Sequence, residues 1–173
     1  MGAYLLIVVA VMSRVLPHPW LNFTAVGGGL LYFGARRPLR EAIWPVLALM
    51  ATDFYLTMFF YHYAWHTSAY LVTWAWYVGA ILLGRVMLGK QVTVPRVLGA
   101  PVIASTSFFL VSNFVAWIAL YPHTGAGLTA CYALALPFYR NDLLSTTLVT
   151  GLAFGLPMVA RDWASRRTRF AQP

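Results

Sequence analysis

Six apolar stretches, separated by short connections that are either arginine-rich or aromatic, restrict this chain more than any other feature. Stretches of this kind can lie in the core of a large soluble protein or in the hydrocarbon of a bilayer. Composition decides between them. Of 173 residues, 61% are hydrophobic and only 9% are charged, whereas soluble domains run near half apolar and a quarter charged. So few polar side chains cannot cover such a core, but lipid can. A helical crossing needs about 20 mostly apolar residues to match roughly 30 Å of hydrocarbon, so the length allows at most about seven crossings. No separate soluble domain is expected.

The runs fall at 3–16, 21–35, 41–61, 69–88, 97–120 and 143–160. The first closes at Pro17-His18-Pro19, where two prolines turn the chain. The second carries Gly27-Gly28-Gly29, which in a membrane helix allows close backbone approach. Pro95 suits a helix start. Leu128–Phe138 is apolar but too short to cross. The expected fold is therefore an all-α membrane protein of six transmembrane helices, with a short interfacial helix between the fifth and sixth. Asn141 or Asp142 is expected to cap the sixth, with Arg140 a possible neutralising partner.

The net charge of +8 sits in the connections rather than on one stripe, which disfavours nucleic acid as a partner. With the amino terminus inside, Arg36, Arg37, Arg40, Arg85, Lys90, Arg96, Arg161, Arg166, Arg167 and Arg169 face the cytoplasm. Arg14 and Arg140 alone face outward. The positive-inside rule selects that orientation, with both termini cytoplasmic in a bacterial inner membrane. All four histidines and most loop aromatics then gather at the outer end.

Asp53 is the anomaly: an acid inside an apolar run. A carboxylate at that depth costs about 2.5–3.5 kcal/mol on insertion scales, so it should face the interior, with Arg14 its natural partner. A structural ion pair and a substrate-facing role are both open. Asn22, Thr24 and Asn113 add polar groups in the outer half, bonding between helices or lining a pocket. His62 and His66, four apart, would share a helix face as a metal pair requires, and His18 and His123 bring the potential ligands to four. Cys131, the single cysteine, excludes an internal disulfide. GxSxG, P-loop and HExxH motifs are absent, as are paired carboxylates, so neither enzymatic activity nor a cofactor is expected.

Arg14-Val-Leu-Pro-His-Pro-Trp-Leu-Asn-Phe-Thr-Ala, Ser107-Phe-Phe-Leu-Val-Ser-Asn-Phe-Val-Ala-Trp, Tyr121-Pro-His-Thr-Gly-Ala-Gly-Leu and Cys131-Tyr-Ala-Leu-Ala-Leu-Pro-Phe-Tyr-Arg-Asn-Asp resemble a bacterial family of small, functionally uncharacterised membrane proteins. In size, topology and polarity the chain is also similar to the substrate-binding S-components of energy-coupling-factor vitamin transporters. That resemblance implies an outward ligand site beneath the loops after helices one, three and five, and a transmembrane coupling subunit with ATPases as partners. It also implies small residues at the coupling face, for which Gly27, Gly28 and Gly29 are candidates. On this reading Trp20, Phe23, Trp65, Trp74 and Trp117 stack on a flat solute, while Arg14, Asn22, Asp53, Asn113, His66 and His123 orient its polar atoms. A non-transporting membrane subunit that binds another protein or lipid is the alternative. Transition-metal uptake through His18, His62, His66 and His123 is a third.

Overall fold

The structure is a computed structural model that describes residues 1–16, 22–65, 67–160 and 163. Among these, the chain forms six α-helices: α1 Gly2–Val15, α2 Val26–Arg36, α3 Ile43–Tyr55, α4 Thr67–Leu88, α5 Val94–Leu120 and α6 Gly125–Thr150. No strand occurs among the described residues. A 3-10 turn, Leu39–Glu41, leads into α3, and a π turn, Leu56–Phe60, extends it. A second π turn, Gly151–Gly155, continues α6 to Ala160. Four helical stretches are long and apolar enough to cross a membrane: Leu39–Phe60, Tyr70–Leu88, Val94–Leu120 and Gly125–Ala160. At 14 and 11 residues, α1 and α2 are shorter.

The sixth element departs from expectation. The interfacial helix and the sixth span merge into one helix of 36 residues, Gly125–Ala160. Thr124 caps it, its side chain accepting the Gly127 N–H at 3.1 Å. Asp142 is therefore an interior helical residue and not a cap. Two positions apart on a helix point to opposite sides, so Arg140 is exposed while Asp142 is buried, and the two do not neutralise each other. Pro137 lies within this helix and removes one backbone donor without ending it.

The short, glycine-rich α2 lies at the centre, in contact with α1, α4, α5 and α6. Its glycines explain how. A Cβ on Gly34 would stand 1.9 Å from the Ile81 carbonyl oxygen of α4, and one on Gly84 would stand 2.1 Å from the Leu31 carbonyl oxygen. The two backbones touch there, which only glycine permits. Gly27 and Gly28 meet Thr146 and Val149 of α6, while Gly29 meets α1 at the Leu6 carbonyl. The triplet does make close helix contacts, but within the chain. Being buried, it offers no face to a coupling subunit.

The exterior departs from the soluble pattern. Leu5, Val8, Leu47, Leu110, Val111, Leu134 and Leu148 are exposed, while Thr52, Asp53, Thr57, Ser105, Asp142, Ser145, Thr146 and Thr150 are buried. An apolar exterior around an apolar core that also holds several polar groups fits hydrocarbon surroundings rather than water. At the basic end of the bundle, Tyr4 donates to Glu41 at 2.5 Å and Arg37 Nε to the same oxygen at 2.6 Å, tying α1 to the connection after α2.

Candidate functional site

At the aromatic end, the polar residues singled out from sequence separate into two unlike regions. In the first, Arg14 of α1 and Asp53 of α3 form the expected ion pair, with Nη2 to Oδ1 at 2.6 Å. The remaining bonds come from α4. Tyr77 donates its hydroxyl to the carboxylate at 3.1 and 3.2 Å, and Trp74 Nε1 donates to Oδ2 at 3.0 Å. Arg14 Nη1 in turn donates to the Tyr77 oxygen at 2.9 Å. Residues 53, 74 and 77 meet because positions three apart share a helix face and α3 and α4 run antiparallel. Asp53 is 2% exposed, and both of its oxygens are occupied. This is a closed network that joins three helices.

An aromatic stack covers that network. Trp65 lies over Tyr70 with ring centroids 4.6 Å apart and planes 8° from parallel, and Trp74 stands 6.1 Å from each. Thr57 and Tyr70 share a hydrogen bond, and Trp65 Nε1 donates to Thr67 at 3.0 Å. Of the rings expected to stack on a solute, Trp65 and Trp74 thus stack on each other and on Tyr70.

The second region lies between α5 and α6. A cavity of about 360 Å³ is lined by Ser105, Phe108, Phe109, Ser112 and Asn113 of α5, and by Cys131, Leu134, Ala135, Phe138, Tyr139 and Asp142 of α6; Asn22 and Tyr121 complete the lining. Helical spacing builds both walls: 105, 108, 109, 112 and 113 form one stripe, and 131, 135, 138 and 142 form another. Cys131 and Ala135 supply too little side chain to fill the gap between the helices. Tyr139 and Thr106 bridge them by a 2.9 Å hydroxyl bond, and Cys131 Sγ donates to the Asn113 carbonyl at 3.4 Å.

Asp142 is 7% exposed. Among the described residues it makes no ion pair, and its Oδ2 has no hydrogen-bond partner. The Ser105 hydroxyl faces the Asp142 carboxyl as a hydrogen-bonding neighbour, while Thr146 Oγ1 and Thr150 Oγ1 on the same α6 face have no partner among the described residues. Buried polar groups are normally satisfied, so Asp142 Oδ2 and the two threonine hydroxyls set this seam apart from the rest of the interior. The lining contains no Lys, Arg or His, and Asp142 is its single charged residue.

Of the residues named from sequence, Asn22 and Asn113 line this cavity. Arg14, Asp53 and Trp74 belong to the closed network, and Trp65 to its aromatic cover. Phe23 is half-buried ahead of α2. Trp117 donates Nε1 to the Pro122 carbonyl at 3.1 Å and packs against His123, whose Nε2 lies 2.9 Å from the Ile118 carbonyl. These two rings fasten the α5–α6 connection. His62 is exposed, with φ of 55°, in a non-helical segment, and the expected metal pair with His66 lies in part outside the described residues. His18, Trp20 and His66 lie outside the described residues. Among the described residues no three His, Cys, Asp or Glu side chains cluster as metal ligands would.

Sequence reasoning missed Asp142 and Ser105 as site residues. A signal was present: Asp142, Ser145, Thr146 and Thr150 repeat at three- and four-residue spacing, a polar stripe on an otherwise apolar helix.

No curated protein and no solved structure matches the chain. Residues 1–168 match the model of the Family of unknown function (DUF6580), and the chain belongs to that family.

Proposed function

We propose that this chain is a multi-pass protein of a bacterial inner membrane that binds a small solute in the α5–α6 cavity, as the binding subunit of an uptake system. All six helices lie in the bilayer on this reading, with α1 and α2 packed inside it although short. Both termini face the cytoplasm, because the arginine-rich connections lie at that end. The observation that carries the reading is the cavity itself. It combines apolar rings with a few polar groups, as small-molecule sites do, at the end where the aromatic connections gather.

The architecture resembles an S-component in size and helix count, though fold-level likeness alone assigns no substrate. No ATP-binding motif is present in the sequence, so driven uptake would require partner subunits. The test is thermal unfolding of the purified protein in detergent against a broad panel of vitamins and other flat solutes. At least one should raise the midpoint in a concentration-dependent way. A flat response across the panel sinks the proposal.

A second reading, a non-transporting subunit that docks another membrane protein, is favoured by the exposed rings Tyr55, Phe59, Tyr61 and Tyr63, which stack in pairs at the aromatic end. Purification in mild detergent separates the two readings. Co-purifying ATPases support uptake, and a stoichiometric unrelated protein supports the docking role.

A further inference from the structure

The chemistry of the cavity wall narrows the class of solute. Several of the donors along it are already used within the chain. Ser112 Oγ donates to the Phe108 carbonyl at 2.6 Å, Asn113 Nδ2 to the Phe109 carbonyl at 2.8 Å, and Cys131 Sγ to the Asn113 carbonyl. The Tyr139 hydroxyl is engaged with Thr106. Acceptors are left over: Asp142 Oδ2, the Asn113 amide oxygen and the lone pairs of Ser112. The Ser105 hydroxyl stands beside the carboxylate as its hydrogen-bonding neighbour. An anion would meet a buried carboxylate with no cation to offset it. A donor-rich cation would offset the carboxylate and satisfy these acceptors, and the flanking ring faces would add cation–π attraction.

We infer that the α5–α6 cavity selects an organic cation bearing several N–H donors, such as a primary ammonium or amidinium group, with its charge against Asp142 and its apolar body between Phe108, Phe109 and Phe138. This rests on the solute-binding reading above. Asp142 is then the specificity-determining residue, and Ser105 a second contact to the same group.

Three probes that share an indole body separate charge from shape: tryptamine carries an ammonium, tryptophol a neutral hydroxyl, and indole-3-propionate a carboxylate. Each is titrated into the full-length protein in detergent while the unfolding midpoint is followed, beside the Asp142→Asn variant. The expected result is stabilisation by tryptamine at concentrations at least tenfold below those at which either analogue acts, with that preference lost in the variant. The ranking within the wild-type protein decides the matter even where the variant fails to fold. Equal responses to all three overturn the charge assignment and leave solute binding standing. A response to indole-3-propionate alone, or to none of the three, overturns it as well, and solute binding then stands or falls with its own panel.

Discussion

Asp53 and Asp142 are both aspartates buried inside apolar helices, yet the protein treats them in opposite ways. Around Asp53 an arginine, a tyrosine and a tryptophan from two other helices fill both oxygens. Around Asp142 there are aromatic rings, small residues and hydroxyls, and one carboxylate oxygen is left without a partner. A satisfied buried charge holds helices together and resists change. An unsatisfied one costs stability and persists where a ligand compensates it. The first pattern is that of an ion pair that ties helices together, and the second is the one on which the proposed solute site rests.

The sharpest way to break this contrast is to remove each acid and compare. Asp53→Ala leaves Arg14 without its counter-charge and strips Tyr77 and Trp74 of their acceptor. Breaking a buried pair by deleting one partner costs about 3–5 kcal/mol. Thermal or denaturant unfolding in detergent should show that loss. The double variant Arg14→Met/Asp53→Leu should recover part of it, because no lone charge remains. A neutral result for Asp53→Ala would mean that the network does not hold α1, α3 and α4 together.

The central helix offers the next largest effect. Gly34→Ala drives a methyl group into the backbone of α4, with the Ile81 oxygen at 1.9 Å, and backbone cannot rotate aside. A loss of about 1–3 kcal/mol is expected from such overpacking. At Gly27 the obstructing atom is the Thr146 side-chain hydroxyl, at 2.3 Å, so Gly27→Ala should cost less than Gly34→Ala. The reverse order would mean that the α2–α6 seam beneath the cavity is the tighter of the two.

Asp142→Asn should act in the opposite sense to Asp53→Ala. Removing a charge that has no counter-charge relieves its desolvation, and a gain of about 1 kcal/mol is expected in the ligand-free protein. A loss comparable to that at Asp53 would reveal a structural role and undo the contrast.

What the sequence disclosed follows the same division. Asp53 was legible because an acid in the middle of a long apolar run needs a cation, and Arg14 sits near the end of the adjacent run at matching depth. The helical class, the close packing of the α2 glycines and the start of α5 near Pro95 were legible for similarly local reasons. Asp142 was hidden by its neighbours. Arg140-Asn141-Asp142 lowers hydropathy over a short window and reads as a connection, yet it contains no residue that stops a helix, and the helix passes through it. The roles of the aromatic residues are not legible in the sequence for a different reason. Composition shows that rings gather at one end, but whether they enclose a solute or stack on each other depends on tertiary contacts that no local pattern records. Trp65, Tyr70 and Trp74 stack.

The smallest predicted effect tests the seam below the cavity. Thr146 and Thr150 are fully buried, and neither hydroxyl has a partner among the described residues. Valine has nearly the shape of threonine and lacks the unsatisfied group. Leaving a buried polar group unpaired costs about 1–3 kcal/mol, of which a close-packed, partly relaxed site should return the lower part. Thr150→Val is therefore expected to raise stability by about 0.5–1 kcal/mol without changing any solute preference, since Thr150 does not line the cavity. Thr146→Val should do the same, provided that the methyl group sits against Gly27 as the hydroxyl does. A loss of stability in both variants would show that these hydroxyls are bonded in the membrane, most simply to water descending from the cavity, and the polar seam would then extend the Asp142 site toward the opposite end of α6.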